Sequence, residues 1–429
     1  MSYYTTDVYE IKREITIFSS KISKNLKKAT SNFVLDMQYG IARKTSVLTT
    51  EIARALDEGI KLKNTSERLC DNMENIEEDE IETIKNNYYA IIRENVFIDK
   101  DDKVVVLFDD SEIAKPYGKK FEDLCRVRDA SQPKTTLVNG YHVCEAVALS
   151  SNNKQPIPLY SYIYSTDSNG HKSMPDETIK SLVAMKTILK HPISGIFDRG
   201  YDSNTFFKYF AEHPDDDFVI RLKGNRNVIV KGHEVLVSKM AEDRKGKVNM
   251  TLFFESENKE VKLSHTRVGL PCIEGSKKAY TIIFCYGLSE EEPLLLITNR
   301  HVNDKKDVIT IVREYFYRWR IEENFRHTKS EYDWENMRVR TLKKMNVLNL
   351  MLMIRVGHVA LMANKVDESL LAIKMIERSK SLRADVCVWI YQITRGIKEA
   401  LAYAQKGIQR FKRIEKRKPS RQLEIWEFL

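Results

Sequence analysis

The run Val104-Val105-Val106-Leu107-Phe108, closed by Asp109 and Asp110, restricts the fold more than any other feature of the chain. An apolar, β-branched run without alternation is expected of a strand buried on both faces, as in a sheet covered by helices on each side. The segment from Ile193 to Phe197 repeats the device and is closed by Asp198. Two such strands lying parallel and side by side bring their C-terminal acids to one sheet edge, where ligand sites of open α/β sheets lie. An acid after a strand is also an ordinary turn residue. The pair alone leaves both readings open.

The texture around these runs divides the chain. Residues 1–95 carry few Gly or Pro and show apolar residues at three- and four-residue spacing, as in SVLTTEIARAL from Ser46, so they read as a helical region that is a separate unit in pattern. The acidic stretch from Met73 to Glu82 reads as a solvated helix face or linker. Residues 100–224 read as strands followed by alternating helix and strand, the order of a mixed sheet with helices on its faces. Residues 225–300 return to strand texture and read as a β-rich insertion, residues 301–347 complete the core with a helical region, and residues 348–429 are helical and end in the basic stretch from Lys406. The expected class is α/β.

Composition sets outer bounds. A chain of 429 residues exceeds one compact core, and an apolar content of 42% suffices for a substantial one. The net charge of +9 suits a polyanionic partner without requiring one. Six scattered cysteines, among them Cys125, Cys144 and Cys387, show neither paired metal spacing nor a disulfide framework, which fits a reducing cytosol. The start lacks an apolar leader segment, and the apolar stretch from Val347 to Ala360 is interrupted by Asn349, Arg355 and His358 and is too short to span a bilayer, so no membrane partner is expected.

A third acid stands in the stretch YFYRWRIEENFRHTK, from Tyr315 to Lys329. On a continuous helix, Tyr315, Arg318, Glu322 and Lys329 fall within a wedge of roughly 60°, a carboxylate between cations. A solvated, salt-bridged helix surface has the same look, and periodicity alone does not choose.

The spacing of Tyr315, Arg318, Glu322 and Lys329, with Trp319, Ile321 and Glu323 beside them, resembles the Tyr-Arg-Glu-Lys signature of insertion-sequence DDE transposases of the cut-and-paste type. DDSEIAKPYGKK from Asp109 and DRGYDS from Asp198 resemble the segments around that family's first and second Asp, and the likeness runs from Val104 to Val347. The resemblance implies a ribonuclease H-like core in which Asp109, Asp198 and Glu322 are the catalytic residues and hold two Mg2+ or Mn2+ ions. It further implies cleavage at the ends of a mobile element and strand transfer into target DNA, with Tyr315, Arg318 and Lys329 on the phosphates. Arg221 is placed with them, a core-edge arginine being the plain alternative. The implied partner is double-stranded DNA, bound by a homodimer that synapses two element ends in the prokaryotic cytosol at the nucleoid.

Several alternatives stay open at this level. Asp110 competes with Asp109 as first ligand and faces oppositely if the strand continues; the family pattern of Asp, any residue, then Ser or Thr favours Asp109 with Ser111. Some relatives process DNA through a hairpin by stacking a base on a Trp of the insertion, but Trp319, Trp334, Trp389 and Trp426 lie outside it. Pro293 and Leu294 stand where such a Trp is expected, which leaves Phe254, Tyr280 or Tyr286 as substitutes. Arg43, Lys44 and Arg54 are candidates for recognising the element's ends, and the basic stretch from Lys406 for phosphate binding or synapsis. A catalytically silent DNA-binding descendant and a ribonuclease H-like nuclease without strand transfer are the competing functions.

Overall fold

The computed structural model describes residues 2–129, 136–254, 257–275, 279–289, 292–380 and 388–417. Cys387, Trp426 and the end of the basic stretch at Lys418 lie outside the described residues.

Five helices come first: α1 (Ser2–Ile22), α2 (Lys28–Lys44), α3 (Thr49–Leu56), α4 (Leu62–Asn75) and α5 (Glu78–Ile92). The acidic stretch between α4 and α5 is a reciprocal cap in which Glu77 and Glu80 bond each other's backbone at the start of α5. These carboxylates satisfy amide groups that the first helical turn leaves open.

The strands then follow as β1 (Val104–Ala114), β2 (Cys125–Arg128), β3 (Leu137–Leu149) and β4 (Pro156–Tyr164). Next come α6 (Met174–Leu189), β5 (Ile193–Phe197), α7 (Asn204–Glu212) and β6 (Asp217–Arg221). β1 pairs antiparallel with β3, and β3 with β4, whereas β1, β5 and β6 run parallel. Spatial order β4-β3-β1-β5-β6 is the ribonuclease H-like arrangement, with β2 a short addition on β3.

The segment expected as a β-rich insertion holds β7 (Asn227–Val230), β8 (His233–Leu236), α8 (Val237–Glu242), β9 (Val248–Phe254), β10 (Glu257–Val268), β11 (Tyr280–Tyr286) and β12 (Leu294–Thr298). Only the β7–β8 hairpin forms a sheet of its own. β12 pairs antiparallel with β6, and β11, β10 and β9 follow it outward, so the central sheet has ten strands among the described residues. The reason is that β6 presents an edge of unpaired amide and carbonyl groups, which β12 covers.

The chain closes with α9 (Lys305–Phe316), α10 (Trp319–Tyr332), α11 (Leu342–Asn364), α12 (Leu370–Arg378), α13 (Trp389–Ala402) and α14 (Ile408–Arg417). The first and last helices do not form separate units. Gln38 of α2 donates to the Met351 carbonyl of α11 at 2.8 Å, Arg43 of α2 donates to the Ala404 carbonyl at 2.9 Å, and one hydrophobic core includes Ile11, Leu35, Val359 and Ile397. α11 is longer than the apolar stretch inside it, and by length and composition it could cross a membrane. Its surface is covered by protein over 94% of its most apolar window, as in the central helix of a folded core.

Each face of the sheet meets a different layer. Val104, Val106 and Phe108 of β1 join the larger core with Phe206 and Phe210 of α7, whereas Val105 and Leu107 join a second core with Val308, Ile311 and Val312 of α9 and Ile321 of α10. This alternation, set by the two-residue period of a strand, fixes which of the adjacent acids Asp109 and Asp110 in β1 meets which layer.

Candidate active site

Asp109 shares its parity with Val105 and Leu107, so its side chain leaves β1 on the side of α9 and α10. Arg318 meets it there, donating from Nη1 to Asp109 Oδ2 at 3.2 Å and from Nη2 to Glu322 Oε1 at 2.6 Å. Asp198 follows β5 directly and accepts from the Tyr315 hydroxyl at 3.5 Å. Arg221 closes β6, the parallel neighbour of β5, and its guanidinium lies 3.9 Å from Asp198. Asp109, Asp198, Glu322, Tyr315, Arg318 and Arg221 therefore converge on one end of the sheet.

Lys329 does not join them. Its ammonium donates to the Glu112 carbonyl of β1 at 3.1 Å and pairs with Glu335 at 3.0 Å.

Asp110, the next residue along β1, faces the other way. It shares parity with Val106 and Phe108, turns to the opposite layer, and its Oδ1 is buried without a hydrogen-bond partner. Burial pushes its carboxyl up to about 6, with Tyr201, His142 and Cys144 around it.

A continuous helix from Tyr315 to Lys329 is not what forms. α9 ends at Phe316 and α10 begins at Trp319, joined by bonds between residues three apart: Tyr317 N–H to Glu314 at 3.0 Å, Arg318 N–H to Tyr315 at 2.9 Å and Ile321 N–H to Arg318 at 3.1 Å. A tight turn of this kind advances the chain by a larger angle per residue than an α-helix does. Tyr315 thus stands on α9 and Arg318 in the turn just before α10, and the two meet over the carboxylates.

The electrostatics follow from burial. The Asp109 carboxyl is pushed up to about 7, first by burial and further by the negative charges of Asp110 and Asp198, against the pull of Arg318. Burial alone would lower the Arg318 pKa, but Tyr315, Asp198, Glu322 and Asp109 outweigh it and hold the guanidinium above its ordinary value. Burial, aided by Asp198, pushes Tyr315 up to about 12, so its hydroxyl remains a donor. The side chains of Asp109, Asp198 and Glu322 are 24%, 37% and 31% exposed, which leaves all three open to solvent and substrate.

Three carboxylates offer the oxygen donors that hard divalent ions prefer. Among the described residues no three acidic, His or Cys side chains are grouped closely enough to hold an ion as they stand, and Arg318 lies between Asp109 and Glu322. A cation already bridges two of the acids, so the donor set fits positive charge.

Glu145 escaped the sequence reading. It is the cross-strand partner of Asp109, lies buried in β3, and accepts from Asn324 of α10 at 3.2 Å. Burial pushes its carboxyl up to about 8, against hydrogen bonds from Asn324 and Ser161. The signal was a lone acid inside the apolar run Val143 to Leu149.

Other candidates have structural partners. Tyr280 is buried beside Phe218, the Tyr286 hydroxyl donates to the Ala241 carbonyl at 2.9 Å, and Phe254 packs edge-on against Phe316. Trp319, at the start of α10, is 52% exposed, whereas Trp334 is buried and donates to Asn349. Arg43 is committed to the carbonyls of Ala55 and Ala404, and Lys44 and Arg54 both pair with Glu51. None of the described cysteines forms a disulfide.

Comparison with known proteins finds no match among curated sequences. Among solved structures, a piggyBac transposase in a synaptic complex with hairpin DNA shares 12% identity over 96% of this chain and 80% of that one, with a TM-score of 0.43. The NurA nuclease of Sulfolobus solfataricus shares 12% identity over 72% of this chain and 96% of that one, with a TM-score of 0.25. The family model described as transposase DDE domain matches residues 101–355, which span β1 to the middle of α11 and include every residue converging on the site. The chain belongs to the transposase DDE domain family.

Proposed function

We propose that this chain is an active DNA transposase, with Asp109, Asp198 and Glu322 as its metal-holding catalytic residues. The observation that carries the reading is the bridge of Arg318 between Asp109 and Glu322, with Asp198 beside it under Tyr315 and Arg221. Acids from two strands and a helix face one solvent-open end of the sheet with Arg318 between two of them, and acids converging in this way suit phosphodiester chemistry. Bound there, two Mg2+ or Mn2+ ions supply charge stabilisation to the attacking and leaving oxygens.

The remaining roles belong to the chain's own side chains. Arg318 and Arg221 are cations within reach of a phosphate that approaches the acids, and a guanidinium suits that anion because its fork of donors matches two oxygens. Tyr315 keeps its proton and donates. Lys329 lies farther along α10, where it can hold the backbone beyond the cut. The same acids serve the cut at the element's end and the joining of the freed 3′-hydroxyl to target DNA, and two ends call for two copies of the chain.

The test uses the full chain and a supercoiled plasmid carrying the coding region with its native flanks. Mg2+-dependent nicking at the ends, lost in a folded Asp198→Ala variant, is the expected outcome. A second reading is a DNA-binding descendant without catalysis. Specific end binding with no cleavage in Mg2+ or Mn2+ selects it. Cleavage without joining of pre-cut ends selects a simple nuclease.

A further inference from the structure

Asp109 begins a row of polar groups that runs sideways across the sheet. Its cross-strand partner on β3 is Glu145, and the partner of Glu145 on β4 is Ser161. Each residue of the row meets a side chain from a helix. Arg318 binds Asp109, Asn324 of α10 donates to Glu145 at 3.2 Å, and Asn349 of α11 donates to the Ser161 hydroxyl at 2.9 Å. Asn349 in turn accepts from the Trp334 indole at 2.8 Å. Glu145, Asn324, Asn349 and Trp334 are all buried.

This arrangement is costly as packing. The Asn324 Oδ1 is buried without a hydrogen-bond partner, and a cavity of about 10 Å³, close to the smallest that holds one water, lies among Glu145, Ser161, Asn324, Thr328, Trp334 and Asn349. Apolar side chains of similar volume would fill the space at no such cost, because a buried polar pair is weak as a source of stability. What a directional pair adds is a unique geometry, since only one rotation and depth of the helix satisfies it. Asn324 lies two residues beyond Glu322 on α10.

We propose that Glu145 and Asn324 are positioning residues for cleavage, their bond fixing α10 on the sheet so that Glu322 stands opposite Asp109. The proposal rests on the reading of Asp109, Asp198 and Glu322 as metal-holding residues. Glu145 is buried and bonded to Asn324, so the role proposed for it is to position rather than to contact substrate. An α10 that packs through apolar contacts alone can slide or rotate slightly, and the carboxylates then lose register while the fold survives.

The experiment compares three full-length proteins: wild type, Glu145→Gln, and the double variant Glu145→Leu with Asn324→Leu. Thermal unfolding measures stability, electron paramagnetic resonance of free Mn2+ measures metal binding, and the flanked plasmid measures nicking. The double variant is expected to unfold at or above the wild-type temperature and yet lose about 10- to 100-fold in Mn2+ affinity and nicking rate, the range seen when residues that orient metal ligands are removed. Glu145→Gln keeps an acceptor for Asn324 and is expected to stay near wild type. A double variant that binds Mn2+ and nicks like wild type overturns the proposal, as does a loss no greater than its loss of folded protein. Wild type that binds Mn2+ but nicks nothing sinks the transposase reading, and the Mn2+ comparison still decides the role of the pair.

Discussion

Arg318 joins Asp109 to Glu322 through two nitrogens of one guanidinium, so the acid carried by the sheet and the acid carried by the helix share a single counter-ion. The cation therefore holds these two acids together, and any second cation at this point would compete with it for them.

That relationship predicts a trade in Arg318→Ala. The two acids lose their counter-charge, and the metal-free protein is expected to lose about 1–3 kcal/mol, the usual cost of removing one partner from a partly buried charged bond. Mg2+ or Mn2+ then stabilises the variant more than wild type, because no internal cation competes. Thermal unfolding with and without metal checks this, and an equal metal-induced shift in both proteins counts against the bridge.

Asp109 predicts a pH dependence. Its folded pKa of about 7 lies above the ordinary 3.8, so the folded state holds the proton more tightly than the unfolded chain does. The stability this contributes is fully present below about pH 4 and is lost as pH rises toward 7 and beyond. Asp109→Asn has no such proton to lose. Denaturant unfolding without metal should show the variant gaining on wild type as pH rises from acid to pH 8, while its metal-dependent nicking is gone.

Asp110 supplies the control, because it points to the opposite layer. Asp110→Asn is expected to nick at the wild-type rate, while Asp109→Asn and Glu322→Ala are inactive in the same plasmid assay. The reverse pattern would move the first ligand to Asp110.

Lys329 is held by the Glu112 carbonyl and Glu335 rather than by the three acids. As a phosphate contact, its replacement by Ala should weaken binding of a flanked duplex and reduce the slope of log affinity against log salt by about one. Mn2+ affinity should not change. An unaltered salt slope would assign Lys329 to the fold alone.

The sequence by itself determined the apolar cores of β1 and β5 and the acid that closes β5, because an unbroken apolar run followed by a charge is a local pattern; β1 instead runs on past Asp109 to Ala114, paired with β3. The sequence also marked Tyr315, Arg318 and Glu322 through their spacing. It did not reveal β10, whose sequence ENKEVKLSHTRV offers few apolar residues because much of the strand faces solvent. Nor did it show that β12 would pair with β6, since strand pairing depends on which edges remain free after the rest has folded.

The choice between Asp109 and Asp110 shows the boundary most clearly. Alternation along a strand says that the two acids face opposite ways, but only the packing of α9 and α10 against Val105 and Leu107 decides that Asp109 is the one that meets Arg318. The same holds for Glu145, an acid in an apolar strand until β1 lies beside it and α10 lies over it. Periodicity is a property of neighbouring residues, whereas a site is made by residues distant in sequence that the packed layers bring within a hydrogen bond.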